Sequence, residues 1–221
     1  MRSWFPVFAV ALITLVASTA SGQTIIAYNG NSWEDGGFPP SNVGDVFSAV
    51  GDITDVFPPL TWDTSVYQYT WYAWDATSLG ESVNGSEVTA LYSGGQYQIY
   101  VDDLAPFGTD RDYGTNPPNV TAPSTFIDAT VDPNYLHGNF TFFQVVFNTG
   151  SNTGNWEGTL YFDSGTFVNN VGTQDGYTFV ATVGPPAPPG GYSLEGAGDI
   201  FLTPNATEPT TWGHLKALYR E

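Results

Sequence analysis

Two histidines, no cysteine and 22 carboxylates set the chemical limits of this 221-residue chain. His137 stands beside Gly138 in what reads as an exposed turn, and His214 lies near the C-terminus. Neither has a G-x-S-x-G elbow or a thiol near it in sequence. A Ser-His-Asp or Cys-His relay needs an imidazole held against a nucleophile, so neither histidine is expected to be catalytic. The same count excludes a zinc site built from His and Cys. Paired carboxylates remain, because an acid and a base on facing strands are the working parts of glycoside hydrolases. Asp63 and Asp75 flank an aromatic strand, and Glu157 alternates out of phase with Trp156, Leu160 and Phe162. No E-x-D-x-E signature organises these acids. A polysaccharide-active hydrolase or lyase therefore ranks behind non-catalytic alternatives, and the chain is not expected to be an enzyme.

Oxygen ligands are better spaced for a hard cation. In DRDYGTN, residues 110–116, Asp110, Asp112, Gly114 and Asn116 recur at every second position, as at the opening of a calcium loop. Asp102 and Asp103 are placed to complete such a site from across the loop. Thr121 stands where an EF-hand needs its last acid, so the choice lies between a calcium loop of another kind and a solvated acidic loop. Calcium is the one cofactor the sequence suggests.

Aromatic residues raise a third chemistry. VYQYTWYAW, residues 66–74, places Tyr67, Tyr69 and Trp71 on one face of a strand, with Gln68, Thr70 and Tyr72 on the other. Trp74 adds a further ring, so both faces carry aromatics. One face must be core. The other is a candidate glycan platform, since flat rings with polar neighbours suit sugars. Tyr67, Tyr69, Trp71, Tyr72 and Trp74 are the candidate glycan-binding residues.

The elements that must position these groups read as strands and turns. Gly and Pro punctuate aromatic and β-branched runs throughout the chain. Strands are expected at 24–28, 66–74, 124–131, 177–183 and 198–203. Hairpins are expected at 88–101, closed near Gly94-Gly95, and at 137–162, closed by SNTGN. In the first hairpin Tyr97, Ile99 and Val101 should face inward, and Gln96, Gln98 and Tyr100 outward. The segment 38–60, bounded by two FPP turns, reads as an excursion with short strands. Nine or ten strands without helical periodicity predict an antiparallel β-sandwich of jelly-roll type.

The ends of the chain bear on location. MRSWFPVFAVALITLVASTASGQ has one cation, a short apolar run and small residues, the pattern of a secretory signal over residues 1–22. The β domain then occupies 23–203, and a polar spacer with a terminal tail 204–221. Four basic residues against 22 acidic ones leave a formal net charge of −18. That charge makes nucleic acid and anionic membranes poor partners. No stretch after the signal is apolar enough to span a membrane. A secreted or cell-envelope protein is expected.

The tail departs from the rest. In WGHLKALYR, Trp212, Leu215, Leu218 and Tyr219 form a helical stripe, and Lys216 and Arg220 complement the C-terminal end of its dipole. So short a helix needs a surface to dock on, which is either its own domain or a partner that reads it as an address or docking peptide. Thr211, Trp212, Gly213, Leu215, Lys216, Leu218, Tyr219 and Arg220 spell T-W-G-x-L-K-x-L-Y-R. This resembles the tail of many secreted all-β proteins of uncultured environmental bacteria, a group with no known activity. The Trp-Gly pair is also similar to the start of bacterial C-terminal sorting domains, without their hydrophobic helix and basic end. The resemblance implies export and a tail used for sorting or docking, and it implies no chemistry. The sequence thus favours an exported, non-catalytic structural or adhesive protein, with a glycan-binding module as the alternative. Its expected partners are glycans or the export and surface machinery.

Overall fold

The computed structural model describes residues 23–103, 129–172, 176–185 and 191–202. They form eight strands and one helical turn: β1 (Gln23–Glu34), β2 (Val46–Val56), β3 (Tyr67–Asn84), β4 (Glu87–Asp103), β5 (Asp132–Asn148), β6 (Thr153–Ser164), α1 (Val168–Val171), β7 (Tyr177–Gly184) and β8 (Leu194–Leu202). Each strand runs antiparallel to the next. β8 then returns to β1, paired from Gln23 opposite Leu202 to Ser32 opposite Leu194 with one register shift between Thr24 and Ile26. The sheet is a closed barrel with sequential strand order.

The all-β, antiparallel expectation therefore holds, and the sandwich of jelly-roll type is corrected to a barrel. Both architectures demand the same alternation of apolar and polar residues along each strand. They differ in whether the first and last strands find each other and remove the open edges. The strands of the described residues are also longer than expected. Segment 38–60 contributes one eleven-residue strand, β2, rather than an excursion of short ones. Gly94-Gly95 does not close a hairpin. With φ of 67° and 101°, these glycines bend β4, beside Asp75 at φ 60° in β3. The β3–β4 reversal is instead made at Gly85-Ser86, between the paired residues Asn84 and Glu87. The 137–162 hairpin forms as β5 and β6. Residues 129–131 of the expected 124–131 strand precede β5 and are not strand; 124–128 lie outside the described residues, as does the tail helix.

The barrel interior is aromatic. Trp71, Trp156, Tyr28, Tyr97 and Phe179 are all essentially inaccessible to solvent. Trp71 lies 5.2 Å from Tyr28 and 5.5 Å from Tyr97 between ring centroids, while Phe179 stacks on Tyr28 at 4.8 Å. The Trp71 indole N–H donates to the Asn29 carbonyl at 2.8 Å, which satisfies its polar atom. Two inward glycines make room for this indole. A Cβ at Gly30 would sit 2.4 Å from Trp71 Cζ2, and one at Gly51 2.7 Å from Trp71 Nε1. Tyr97, Ile99 and Val101 face inward, as the alternation predicted.

The outward positions are mostly polar, for example Asn29, Asp52, Gln68, Gln96, Asn139, Glu157 and Glu195. This apolar-in, polar-out alternation is the reverse of the pattern a lipid-embedded barrel requires. Among the described residues, no helix is long and apolar enough to cross a membrane. The barrel has two ends. One carries the connections at 35–45, 85–86 and 149–152, with Gly184 and Leu194. The other carries the connection at 57–66, the end of β4, the start of β5, residues 165–172, Gln23 and Leu202, and is called here the terminal end.

Candidate functional site

At the terminal end the β2–β3 connection folds over the barrel mouth and makes a cleft. Leu60 is buried and anchors it. Two phenols hold it from below: Tyr69 Oη accepts the Asp63 N–H at 3.1 Å, and Tyr135 Oη donates to the Thr61 carbonyl at 2.7 Å. Asp63 Oδ1 in turn accepts the Ser65 hydroxyl at 2.5 Å and the Ser65 N–H at 3.0 Å. These bonds place the half-buried Trp62 ring 5.7 Å from Tyr69, tilted by 58°.

Trp62, Tyr67 and Tyr69 divide the cleft into two halves. The polar half, about 570 Å³, lies against the outer face of β1–β3 and is walled by Asn29, Asp52, Thr54, Asp55, Thr64 and Gln68. Gln68 Nε2 donates to Asp52 Oδ1 at 3.3 Å, and the Asp52 N–H donates to Asn29 Oδ1 at 3.4 Å. Gln68 Oε1 is buried and has no donor among the described residues. The apolar half, about 330 Å³, is walled by Val101, Val131, Tyr135 and Phe167, with Thr61, Asp63 and Asp132 at its edges. Tyr135 and Phe167 stack at 4.4 Å.

Among the described residues, the charge in the cleft is of one sign. All four basic residues lie outside the described residues. The bonds from the Ser65 side chain and backbone hold the exposed Asp63 carboxyl below its usual range. Burial pushes the Tyr69 and Tyr135 phenols up, so both stay protonated. The arrangement offers hydroxyl, amide and carboxylate hydrogen-bonding groups beside an indole and a phenol.

The expected glycan-binding residues are split by the barrel. Tyr67 and Tyr69 line the cleft, and Trp71 belongs to the core. Tyr72 and Trp74 face outward, but not as a flat platform. Trp33 stacks on Tyr72 at 6.5 Å and 12°, and Tyr72 on Trp74 at 4.9 Å and 18°. The faces at the ends of this ladder meet Tyr192 at 5.7 Å and His137 at 6.2 Å. The three rings are half-buried and pack mainly on one another, with Tyr192 and His137 against the ends of the ladder.

His137 is likewise not in a turn. It is a strand residue of β5, with Nδ1 2.7 Å from Asp163 Oδ1 and Nε2 3.4 Å from Gln96 Oε1. Partial burial raises the Asp163 carboxyl, but bonds from His137, Ser164 and Asn139 outweigh it and hold the group below its usual range. Asp102 is buried at the end of β4, where Oδ1 accepts the N–H groups of Asp103 at 2.8 Å and Thr130 at 3.1 Å and the Thr130 hydroxyl. It staples the β4 end to the chain entering β5, and Asp103 beside it is exposed. Asp110, Asp112 and Asn116 lie outside the described residues, as do Trp212, Leu215, Lys216, Leu218, Tyr219 and Arg220. Among the described residues, no group of three His, Cys, Asp or Glu side chains is arranged to hold a metal ion.

A second polar cluster stands near the opposite end. Glu34 is 4% exposed. Its Oε1 accepts the Ser41 hydroxyl at 2.6 Å and its Oε2 the Tyr92 hydroxyl at 2.9 Å. Ser41 also bonds Ser78 Oγ at 2.7 Å and donates its N–H to Glu81 Oε2 at 2.9 Å. Burial pushes the Glu34 carboxyl up; the Ser41 and Tyr92 bonds oppose this, and the charges of Asp45 and Glu81 add to it. The cluster pins the β1–β2 connection and lines none of the cleft.

Sequence reasoning missed Trp62, Asp52, Gln68, Tyr135 and Phe167 as a group. Its one available signal was a tryptophan in a Pro-bounded polar connection, FPPLTWDTS. The partners come from four separate elements and meet only through barrel closure. No family model, curated protein or solved structure matches the chain.

Proposed function

We propose that this is an exported, non-catalytic protein of the extracellular space or cell envelope that binds glycan through the polar half of the cleft, in an adhesive role. One observation carries this reading: the Trp62 and Tyr67 rings share a wall with Asn29, Asp52, Gln68 and Thr64. Sugars need both an apolar surface for their C–H faces and directional partners for their hydroxyls. Gln68 Oε1, an acceptor without a donor, suits a ligand hydroxyl after a small rotation. The carboxylates Asp52 and Asp55 disfavour uronic acids and sulfated chains, so the ligand is a neutral or amino glycan. The tail, residues 212–220, serves in this reading as an address or docking peptide.

A glycan array followed by tryptophan fluorescence titration of the full chain tests the proposal. A neutral glycan should bind saturably, and Trp62→Ala and Asp52→Asn should each weaken it by about tenfold, or ~1.4 kcal/mol. Trp74→Ala should leave binding unchanged. Equal binding by the Trp62→Ala and parent proteins would remove the cleft from consideration, and release of reducing sugar would overturn the non-catalytic assignment.

A further inference from the structure

We propose that the apolar half of the cleft is a separate site for a small organic ammonium cation, received by Trp62, Tyr69 and Tyr135, with Asp63 and Asp132 at its mouth. This goes beyond the glycan reading and does not depend on it. The lining combines ring and valine surface with Thr61, Asp63 and Asp132, of which Thr61 and Asp63 are exposed to solvent. Aromatic rings carry negative charge on their faces and attract a cation, most strongly when the cation is weakly hydrated. Both carboxylates are held as acceptors: Asp63 Oδ1 by the Ser65 hydroxyl, and Asp132 Oδ1 by the Asn134 N–H at 2.9 Å. No lysine or arginine neutralises them among the described residues.

The chemistry of the walls excludes other occupants. A bare calcium or magnesium ion needs six or more oxygen ligands to replace its water, and ring carbons do not supply them. An anion is repelled by both aspartates. A neutral apolar molecule would fill the space but gain nothing from the carboxylates. An alkylammonium group satisfies both features, presenting methyl groups to the rings and charge to the mouth. About 330 Å³ accommodates such a head group with room for a short substituent.

The test compares choline with 3,3-dimethylbutan-1-ol, its uncharged carbon analogue, by saturation-transfer NMR and calorimetry on the full chain. Choline should bind saturably and about tenfold or more tighter than the neutral analogue, with the difference shrinking as salt is raised. Asp63→Asn with Asp132→Asn keeps both Oδ1 acceptors, so folding is retained while the preference for the cation should be lost. Trp62→Ala, on a half-exposed ring, should weaken choline binding. Equal affinity for the two probes, absence of saturation, or undiminished choline binding by the double variant would each overturn the proposal. Glycan binding is read on the same samples with neutral sugars, so failure of either site is recognised separately.

Discussion

Trp71 and Gly30 offer a direct test of how the barrel assigns its aromatic residues. Replacing Trp71 by Phe removes Cζ2 and the indole N–H, leaving the Asn29 carbonyl without its 2.8 Å donor. Loss of this part-buried hydrogen bond together with the smaller ring left in the core costs about 1–3 kcal/mol. Gly30→Ala introduces a Cβ 2.4 Å from Trp71 Cζ2 and 2.5 Å from the Val50 carbonyl. Overpacking of this kind costs about 1–3 kcal/mol. Either change consumes a large share of the ~5–15 kcal/mol that stabilises a domain. Together they should cost less than the sum, because the shorter Phe vacates the position that the new methyl group needs. The Val50 carbonyl remains close, so relief is partial, and a coupling of about 1 kcal/mol is expected. Urea unfolding of the parent, both single variants and the double variant, followed by far-UV circular dichroism, measures all four stabilities. Additivity within ~0.5 kcal/mol would refute the packing argument. A Trp71→Phe cost within ~0.5 kcal/mol would be the signature of a surface ring and would return Trp71 to the platform.

Two further outcomes are expected. Because Glu34 binds its proton more tightly when folded, its contribution is full below the ordinary value of 4.5 and is lost as pH rises through the folded value. Melting temperatures of parent and Glu34→Gln taken between pH 4 and 8 should therefore diverge, with the variant gaining on the parent as pH rises; parallel profiles would contradict this. Deleting residues 205–221 should change where the protein accumulates while costing well under the few kcal/mol lost with a core element. Unfolding or aggregation of the truncated chain would instead make the tail part of the fold.

What the sequence determined by itself was local. Period-two alternation made 67–74 and 96–101 strands and put Tyr97, Ile99 and Val101 on a single face, because neighbouring side chains on an extended chain must point to opposite sides. The apolar runs at 137–147 and 155–162 around a polar turn sufficed for a hairpin, since their pairing is made between near neighbours. Tertiary structure decided the rest. Gly94-Gly95 is compatible with a turn or a bend, and only the resumption of β4 pairing with β3 and β5 on both sides of the glycines selects the bend. Which aromatic face of β3 is core depended on closure, which turned Tyr69 and Trp71 inward and left Tyr72 and Trp74 to stack on one another outside. Closure itself rests on residues 23–32 meeting 194–202, a contact between distant segments that no local period encodes. The cleft follows from the same event: Asp52, Trp62, Gln68 and Tyr135 become neighbours only once the barrel brings their strands and the β2–β3 connection to one rim.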